Sequence, residues 1–271
     1  MANEQIVSGH VAKRLVVFDL DGTLAESKSA IDAEMSALLG RLLGVVRVAV
    51  ISGAGWAQFE RQLICRLGSP ERWLGLSLLP VCGTAFYEYR DDWTLRYADD
   101  LTTGEKAKIT AALQEMITSM DLVPSQVWGD VIEDRGSQIT FSALGQQAPL
   151  DAKSSYDPDF AKRSAMTSHL EAMIPEFSVR MGGTTSIDIT RPGIDKAYGI
   201  RKLSEVLSIG LGEMVFVGDA LLPGGNDRPV RDAGVSSIAT RDPGETKRLI
   251  EAMVLCADGF RIQPSEPDGR P

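Results

Sequence analysis

Short runs of apolar, often β-branched residues alternate along the chain with longer stretches in which apolar positions recur every three or four residues. Residues 14–19 (RLVVFD) form an apolar run ending in an acid, the pattern of a parallel strand buried on both faces. Ile31, Met35, Leu38, Leu39 and Leu42 carry helical spacing between Lys28 and Leu43. Val45 to Ile51 reads as a second buried strand ending at Ser52-Gly53, and a helix through Phe59, Leu63 and Leu67 closes a β-α-β-α run. After Ser77 to Cys82 the rhythm changes. From Phe86 to Asp188 come a hairpin-like run (FYEYRDDWTLRY), a helix over 103–120, a strand pair (VIEDR and QITFSAL), a helix over 158–174 and two strands (FSVRM and TSIDIT). From Lys196 the first rhythm resumes with a helix to Leu207, the strand MVFVGD at 214–219, a Gly- and Pro-rich loop, the strand VSSIAT and a helix from Pro243.

This order predicts an α/β fold: a Rossmann-like, doubly wound parallel-sheet core with an inserted α+β cap domain. The core is expected at 1–89 and 190–262, the cap at 90–189 and a loose polar tail at 263–271. The pairs Asp91-Asp92 and Asp99-Asp100 read as solvated hairpin ends, and Trp56, Trp73 and Trp93 as packing residues.

Composition narrows the function. With 44% hydrophobic and 24% charged residues, the chain has the make-up of an ordinary globular protein. A net charge of −9 argues against a nucleic-acid partner, which needs a basic face. No apolar run approaches the ~20 residues of a membrane span, and residues 1–14 hold no apolar leader, so a cytoplasmic protein without a membrane partner is expected. Cys65, Cys82 and Cys256 lack any paired spacing and read as buried free thiols. His10 and His169 lie outside every motif.

The chemistry gathers at strand ends. Asp19 and Asp21, two apart where the first strand releases into Gly22, can face one site. Two close carboxylates call for a cation, and Mg²⁺, bound by one or two carboxylates with phosphate and water, is the natural one. A carboxylate can attack phosphorus, so Asp19 is the candidate nucleophile; Asp21 is placed to protonate the leaving oxygen and then to deprotonate the acceptor. Ser52 can offer a hydroxyl and its backbone N–H to a phosphoryl oxygen, and Lys196, opening a helix, can neutralise the transferring group. Asp219, followed by LLPGGND with Asp227, has the pattern of metal ligands at a strand end. Gly182-Gly183-Thr184 could bind phosphate through its N–H groups, yet a tight turn is the simpler account.

With VVFDLDGTL, ISG at 51–53, GIDK at 193–196 and GDALLPGGND at 218–227, the chain resembles the haloacid dehalogenase superfamily in its type IIB branch, and within it the eukaryotic-type phosphomannomutases. The likeness runs over nearly the whole length. It implies catalytic Asp19, Asp21, Thr23, Ser52 and Lys196, with Mg²⁺ on Asp19, the Asp21 carbonyl and Asp219 and with Asp227 close by. It further implies substrate contacts from Gly53, Arg135, Ser186 and Asp188. Where the mutases would carry further arginines the chain has Trp128 and Gln146, and a neutral Gln cannot replace the bidentate bonds of Arg. The function expected is therefore a Mg²⁺-dependent phosphatase or phosphotransferase acting on a small phosphosugar through an aspartyl phosphate, with a phosphomannomutase-type mutase as the alternative. A homodimer through the cap is left open. A phosphorylatable or phosphate-binding switch without turnover is the reading of another class, against which the cap and Asp21 both argue.

Overall fold

The computed structural model describes residues 12–259 apart from 71–72, 121–123 and 125; the expected tail at 263–271 and His10 lie outside the described residues. β1 (Leu15–Asp19) is buried throughout and deals its side chains alternately to two cores, Val16 and Phe18 to one, Leu15 and Val17 to the other. After α1 (Ala33–Leu43), β2 (Arg47–Ile51) repeats the pattern with Val48 and Val50 against Ala49 and Ile51. That double burial is why both runs lack polar alternation.

Following α2 (Trp56–Gln62) come β3 (Leu76–Leu79), β4 (Ala85–Tyr89) and β5 (Trp93–Ala98). Next are α3 (Thr103–Met120), β6 (Ile132–Asp134), β7 (Gln138–Ser142), α4 (Leu150–Tyr156), α5 (Ala161–Met173), β8 (Ser178–Met181) and β9 (Ser186–Thr190). The chain ends with α6 (Lys196–Leu207), β10 (Met214–Gly218), α7 (Arg228–Asp232), β11 (Ser236–Ala239) and α8 (Pro243–Gly259). A seven-stranded sheet has the order β11-β10-β1-β2-β3-β4-β5, parallel from β11 to β3 and antiparallel at β4 and β5. A separate antiparallel sheet has the order β6-β7-β9-β8 and a core of its own with α3 and α5, built on Ile109, Leu113, Phe141, Leu170, Ile187 and Ile189. This is an α/β fold with an antiparallel cap.

The chain leaves the large sheet later than expected. β5 falls beyond the boundary set at 90, yet it pairs with β4 and extends the large sheet. Aromatic packing holds it there: Trp56 of α2 stacks on Tyr87 at 3.8 Å, and Trp93 meets Trp56, Trp73 and Tyr89 at 5.4–6.0 Å. Asp99 and Asp100 are correspondingly not free hairpin ends. They open the crossing to the cap, and Asp99 accepts from the Tyr198 hydroxyl and pairs with Lys202 at 3.1 Å. Arg191, on the return crossing, donates to Glu105 and to the carbonyls of Asp99 and Asp100, so the two crossings are tied side by side.

Two further expectations change. Cys65 and Cys256 are exposed and Cys82 is half-buried, because Cys65 sits beyond α2 and Cys256 on the outer face of α8. The helix expected to run through Leu67 is α2 only to Gln62, followed by a 3₁₀ turn, Ile64–Arg66. None of the described helices is long and apolar enough to cross a membrane.

Helix α6 is set against the large sheet by a contact between two glycines. The turn Val81–Gly83 runs through three successive left-handed residues, with φ of 49°, 55° and 80°. A Cβ on Gly199 would collide with the Cys82 carbonyl oxygen and lie 2.7 Å from Ile51 Cδ1. Gly199 stands one turn after Lys196, so this contact fixes how far the lysine reaches. Gly199→Ala is expected to lower unfolding free energy by about 1–3 kcal/mol, as overpacking does. Gly212→Ala, where nothing lies within 4 Å, should change it by less than about 0.5 kcal/mol; urea unfolding of the two variants checks the difference.

Candidate active site

The carboxyl ends of β10, β1 and β2 lie side by side, with Asp19 paired in register with Ile51 and Phe18 with Val217. Asp219 follows β10 directly, and Asp227 returns to the same edge through the 220–226 loop. One carboxylate oxygen from each of Asp19, Asp219 and Asp227 lies within 4.8 Å of the others. Asp19 and Asp227 are buried and Asp219 is exposed. Backbone closeness makes the cluster possible: a Cβ on Gly22, which sits at φ 82°, would come within 2.5 Å of Asp219 Oδ2, and one on Gly218 would collide with Asp227.

Lys196 Nζ, fully buried, stands 2.7 Å from Asp19 Oδ1 and 2.6 Å from Asp227 Oδ1. Asp195 caps the helix, accepting from Tyr198 N at 2.8 Å, and so fixes the first turn that carries the lysine. The second Asp227 oxygen accepts from Ala220 N at 3.0 Å. Burial pushes the Asp19 carboxyl up to about 7, Lys196 pulling it down and Asp227 pushing it up. Burial acts to lower the Lys196 ammonium, but the two carboxylates outweigh it and hold the group above its ordinary value. Three clustered carboxylates, two of them paired with a single ammonium, leave an excess of negative charge, and hard oxygen donors so arranged suit Mg²⁺.

Asp21 takes a different environment. Its Oδ1 accepts from Lys28 N at 2.6 Å and Gln62 Nε2 at 3.0 Å, and its Oδ2 from Gln58 Nε2 at 3.1 Å. The Thr23 hydroxyl is buried without a partner among the described residues. Ser52 Oγ accepts from Ala54 N at 3.1 Å, which leaves the hydroxyl proton to donate, but the Ser52 N–H is spent on Leu79 O at 3.2 Å. Of the two donors expected from Ser52, only the hydroxyl is available, because the N–H continues the sheet. Gly53 follows, its open side toward the Cys82 thiol, which burial pushes up to about 11.

The cap meets this edge at three places. The Arg135 side chain lies 3.3 Å from where Gly55 would carry a Cβ, and its Nε and Nη2 both donate to Glu133 Oε2, at 2.8 and 2.6 Å. The Lys28 ammonium faces Gly183, 4.0 Å from a Cβ built there. Asp188, within electrostatic reach of Cys82, accepts from Thr140 Oγ1 at 2.8 Å, and burial raises its carboxyl against that bond. Ser186 shares a hydrogen bond with Ser142 at 3.0 Å. Gly182 N donates to Ser186 O and Arg163 donates to the Gly182 and Gly183 carbonyls, which makes the Gly-Gly segment a pinned turn. Trp128 packs on the cap core.

Several groups at the cleft escape the sequence reading. Lys153 of α4 donates to the Gln146 carbonyl oxygen at 3.1 Å, and burial and the nearby Lys28 lower its ammonium. For Gln58 and Gln62 the signal the sequence carries is their i, i+4 spacing, which lets two side chains on one helix reach a shared target.

The family model described as "Eukaryotic phosphomannomutase" matches residues 87–255. The phosphomannomutase of Encephalitozoon cuniculi is 25% identical, over 88% of this chain and 93% of that protein. Human phosphomannomutase 1 is 24% identical, over 90% and 96%. Among solved structures, a haloacid dehalogenase-like hydrolase from Bacteroides thetaiotaomicron superposes with a TM-score of 0.63 at 18% identity, over 89% of this chain and 99% of that one. The IMP-nucleotidase of Plasmodium falciparum reaches 0.65 at 14% identity, over 94% and 71%. A parallel sheet edged with Asp19, Asp219, Asp227 and Lys196, an antiparallel cap and a family match over most of the length together make this chain a member of the eukaryotic phosphomannomutase family.

Proposed function

We propose that the chain transfers the phosphoryl group of a hexose monophosphate through a phosphorylated Asp19. The observation that carries this reading is the Lys196 ammonium held between Asp19 and Asp227, 2.7 and 2.6 Å away, at the edge the cap faces. Phosphoryl transfer asks mainly for positioning and charge neutralisation, and this arrangement supplies both.

Asp19, ionised beside Lys196, attacks phosphorus through a carboxylate oxygen. The bond from phosphorus to the sugar oxygen breaks, and Asp21 gives that oxygen a proton. In the second half Asp21 takes a proton from the acceptor hydroxyl, whose oxygen attacks the aspartyl phosphate and frees Asp19. The Ser52 hydroxyl donates to a phosphoryl oxygen. Mg²⁺ would be held by Asp19, Asp219, Asp227 and the Asp21 carbonyl, and when bound would supply neutralising charge to the transferring group.

The acceptor decides between hydrolysis and isomerisation. Gln146 in place of an arginine favours water. Lys153 beside it and Lys28 opposite favour a second reading, a mutase, because two cations across the cleft can retain a second phosphate while the sugar is turned.

Asp19→Asn is expected to abolish turnover with the fold retained, since the Lys196–Asp227 pair survives; steady-state assay and circular dichroism check both halves. Lys196→Met strands two buried carboxylates and should lower unfolding free energy by about 3–5 kcal/mol, read by urea unfolding. MgCl₂ should raise the unfolding temperature of the wild type and not of Asp219→Ala, by mass action. Product analysis separates the two acceptors: mannose 1-phosphate and glucose 1-phosphate are assayed for inorganic phosphate and isomerised sugar, with and without hexose 1,6-bisphosphate. Phosphate in excess supports hydrolysis; bisphosphate-dependent isomer in excess supports the mutase.

A further inference from the structure

Three N–H donors converge on Asp21, and two of them are glutamines one turn apart on α2. Gln58 spends one amide N–H on Asp21 Oδ2 and donates to Gln62 Oε1; Gln62 spends its amide on Asp21 Oδ1 and on Ser29 O at 2.6 Å. The bonds close a ring in which Gln58 donates twice, Gln62 accepts once and donates once, and Asp21 accepts twice. Flipping the Gln58 amide would set its carbonyl against the Asp21 carboxylate, two acceptors face to face. Gln62 is buried and Gln58 half-buried, although a short surface helix could present both to water.

The backbone of Asp21 is fixed independently, by the tight turn in which Gly22 N donates to Ala25 O at 2.7 Å and Leu24 N to Leu20 O at 2.9 Å. The glutamines are therefore not what fixes the main chain at Asp21 itself. They determine how the carboxylate is turned. Oδ1, with Lys28 N and Gln62, has both lone-pair directions filled, while Oδ2, with Gln58 alone among the described residues, keeps one free.

We propose that Gln58, braced by Gln62, is a positioning residue that holds the Asp21 carboxylate so that Oδ2 is the oxygen presented to the substrate. This rests on the reading of Asp21 as the acid and base of the reaction. A proton delivered from a misturned carboxylate misses the leaving oxygen, and displacements of the order of 1 Å at such a step cost up to about a hundred-fold.

The test compares a leaving group that needs a proton with one that does not. kcat/KM, which reports formation of the phosphoenzyme, is measured on mannose 1-phosphate and on p-nitrophenyl phosphate for the wild type, Asp21→Asn, Gln58→Met and Gln58→Lys. Methionine keeps the length and helix preference of glutamine without a donor; lysine restores an N–H of similar reach. Gln58→Met is expected to lose about ten- to a hundred-fold on mannose 1-phosphate, through kcat more than KM, and clearly less on p-nitrophenyl phosphate. Gln58→Lys should recover most of the loss. Equal losses of Gln58→Met on both substrates, or no recovery in a Gln58→Lys protein folded by circular dichroism, overturn the positioning role. If Asp21→Asn itself loses equally on both substrates, the acid/base reading beneath it is what fails. If Asp21→Asn discriminates and Gln58→Met does not, the positioning role falls alone.

Discussion

Between Asp19 and Asp227 one buried ammonium faces two buried carboxylates, and the lobes around them are arranged to keep it there. Charges withdrawn from water are costly unless paired and hydrogen-bonded. Here the pairing draws on parts of the chain far apart in sequence: β1 brings Asp19, the loop after β10 brings Asp227, and α6 brings Lys196. Gly199 lets α6 approach closely enough for the lysine to reach, and Gly22 and Gly218 admit the acids without a Cβ in the way. Removing the space at any of these glycines would move a charge, which is why small residues recur where the chemistry is dense.

The acid at Asp21 is held by elements that also meet the cap. α2 supplies Gln58 and Gln62, and Gly55 at its start touches Arg135. The loop that supplies Lys28 N also carries the Lys28 side chain toward Gly183. The cap and Asp21 thus share neighbours, so on the function proposed above a sugar phosphate bound at Arg135 would be felt at the base of the same helix. Glu133, accepting two bonds from Arg135, fixes where that guanidinium sits.

The alternation of sheet and helix was legible because double burial leaves a plain mark: LVVFD and RVAVI contain no polar residue between Leu15 and Phe18 or between Val48 and Ile51. The strand-end acids were legible for the same reason, an acid being out of place at the end of such a run. Partnership between distant segments was not. A hairpin such as β4–β5 reads alike whichever sheet it joins, and only its pairing with β3 and the stacking of Trp56 on Tyr87 assign it. α4 has no helical stripe of apolar residues in LDAKSSY, so Lys153 went unnoticed. The i, i+4 spacing of Gln58 and Gln62 names no target until the fold brings Asp21 beneath them. The Ser52 N–H could not be known to be spent before Leu79 was seen alongside.

The clamp of Arg191 on Glu105 and on the carbonyls of Asp99 and Asp100 bears on how the molecule reaches this shape. The cap leaves and re-enters the large sheet at one point, so to the sheet the cap is a single closed loop. The entropy of closing such a loop grows only with the logarithm of its length, each doubling costing about 0.6 kcal/mol more. Because the cap has a core of its own, its ends are held together by its own packing, and the pairing of β1 with β10 does not have to close a loose loop of the cap's full length. Length can therefore be gained or lost at the outer turns of the cap with little effect on the assembly of the strands beneath.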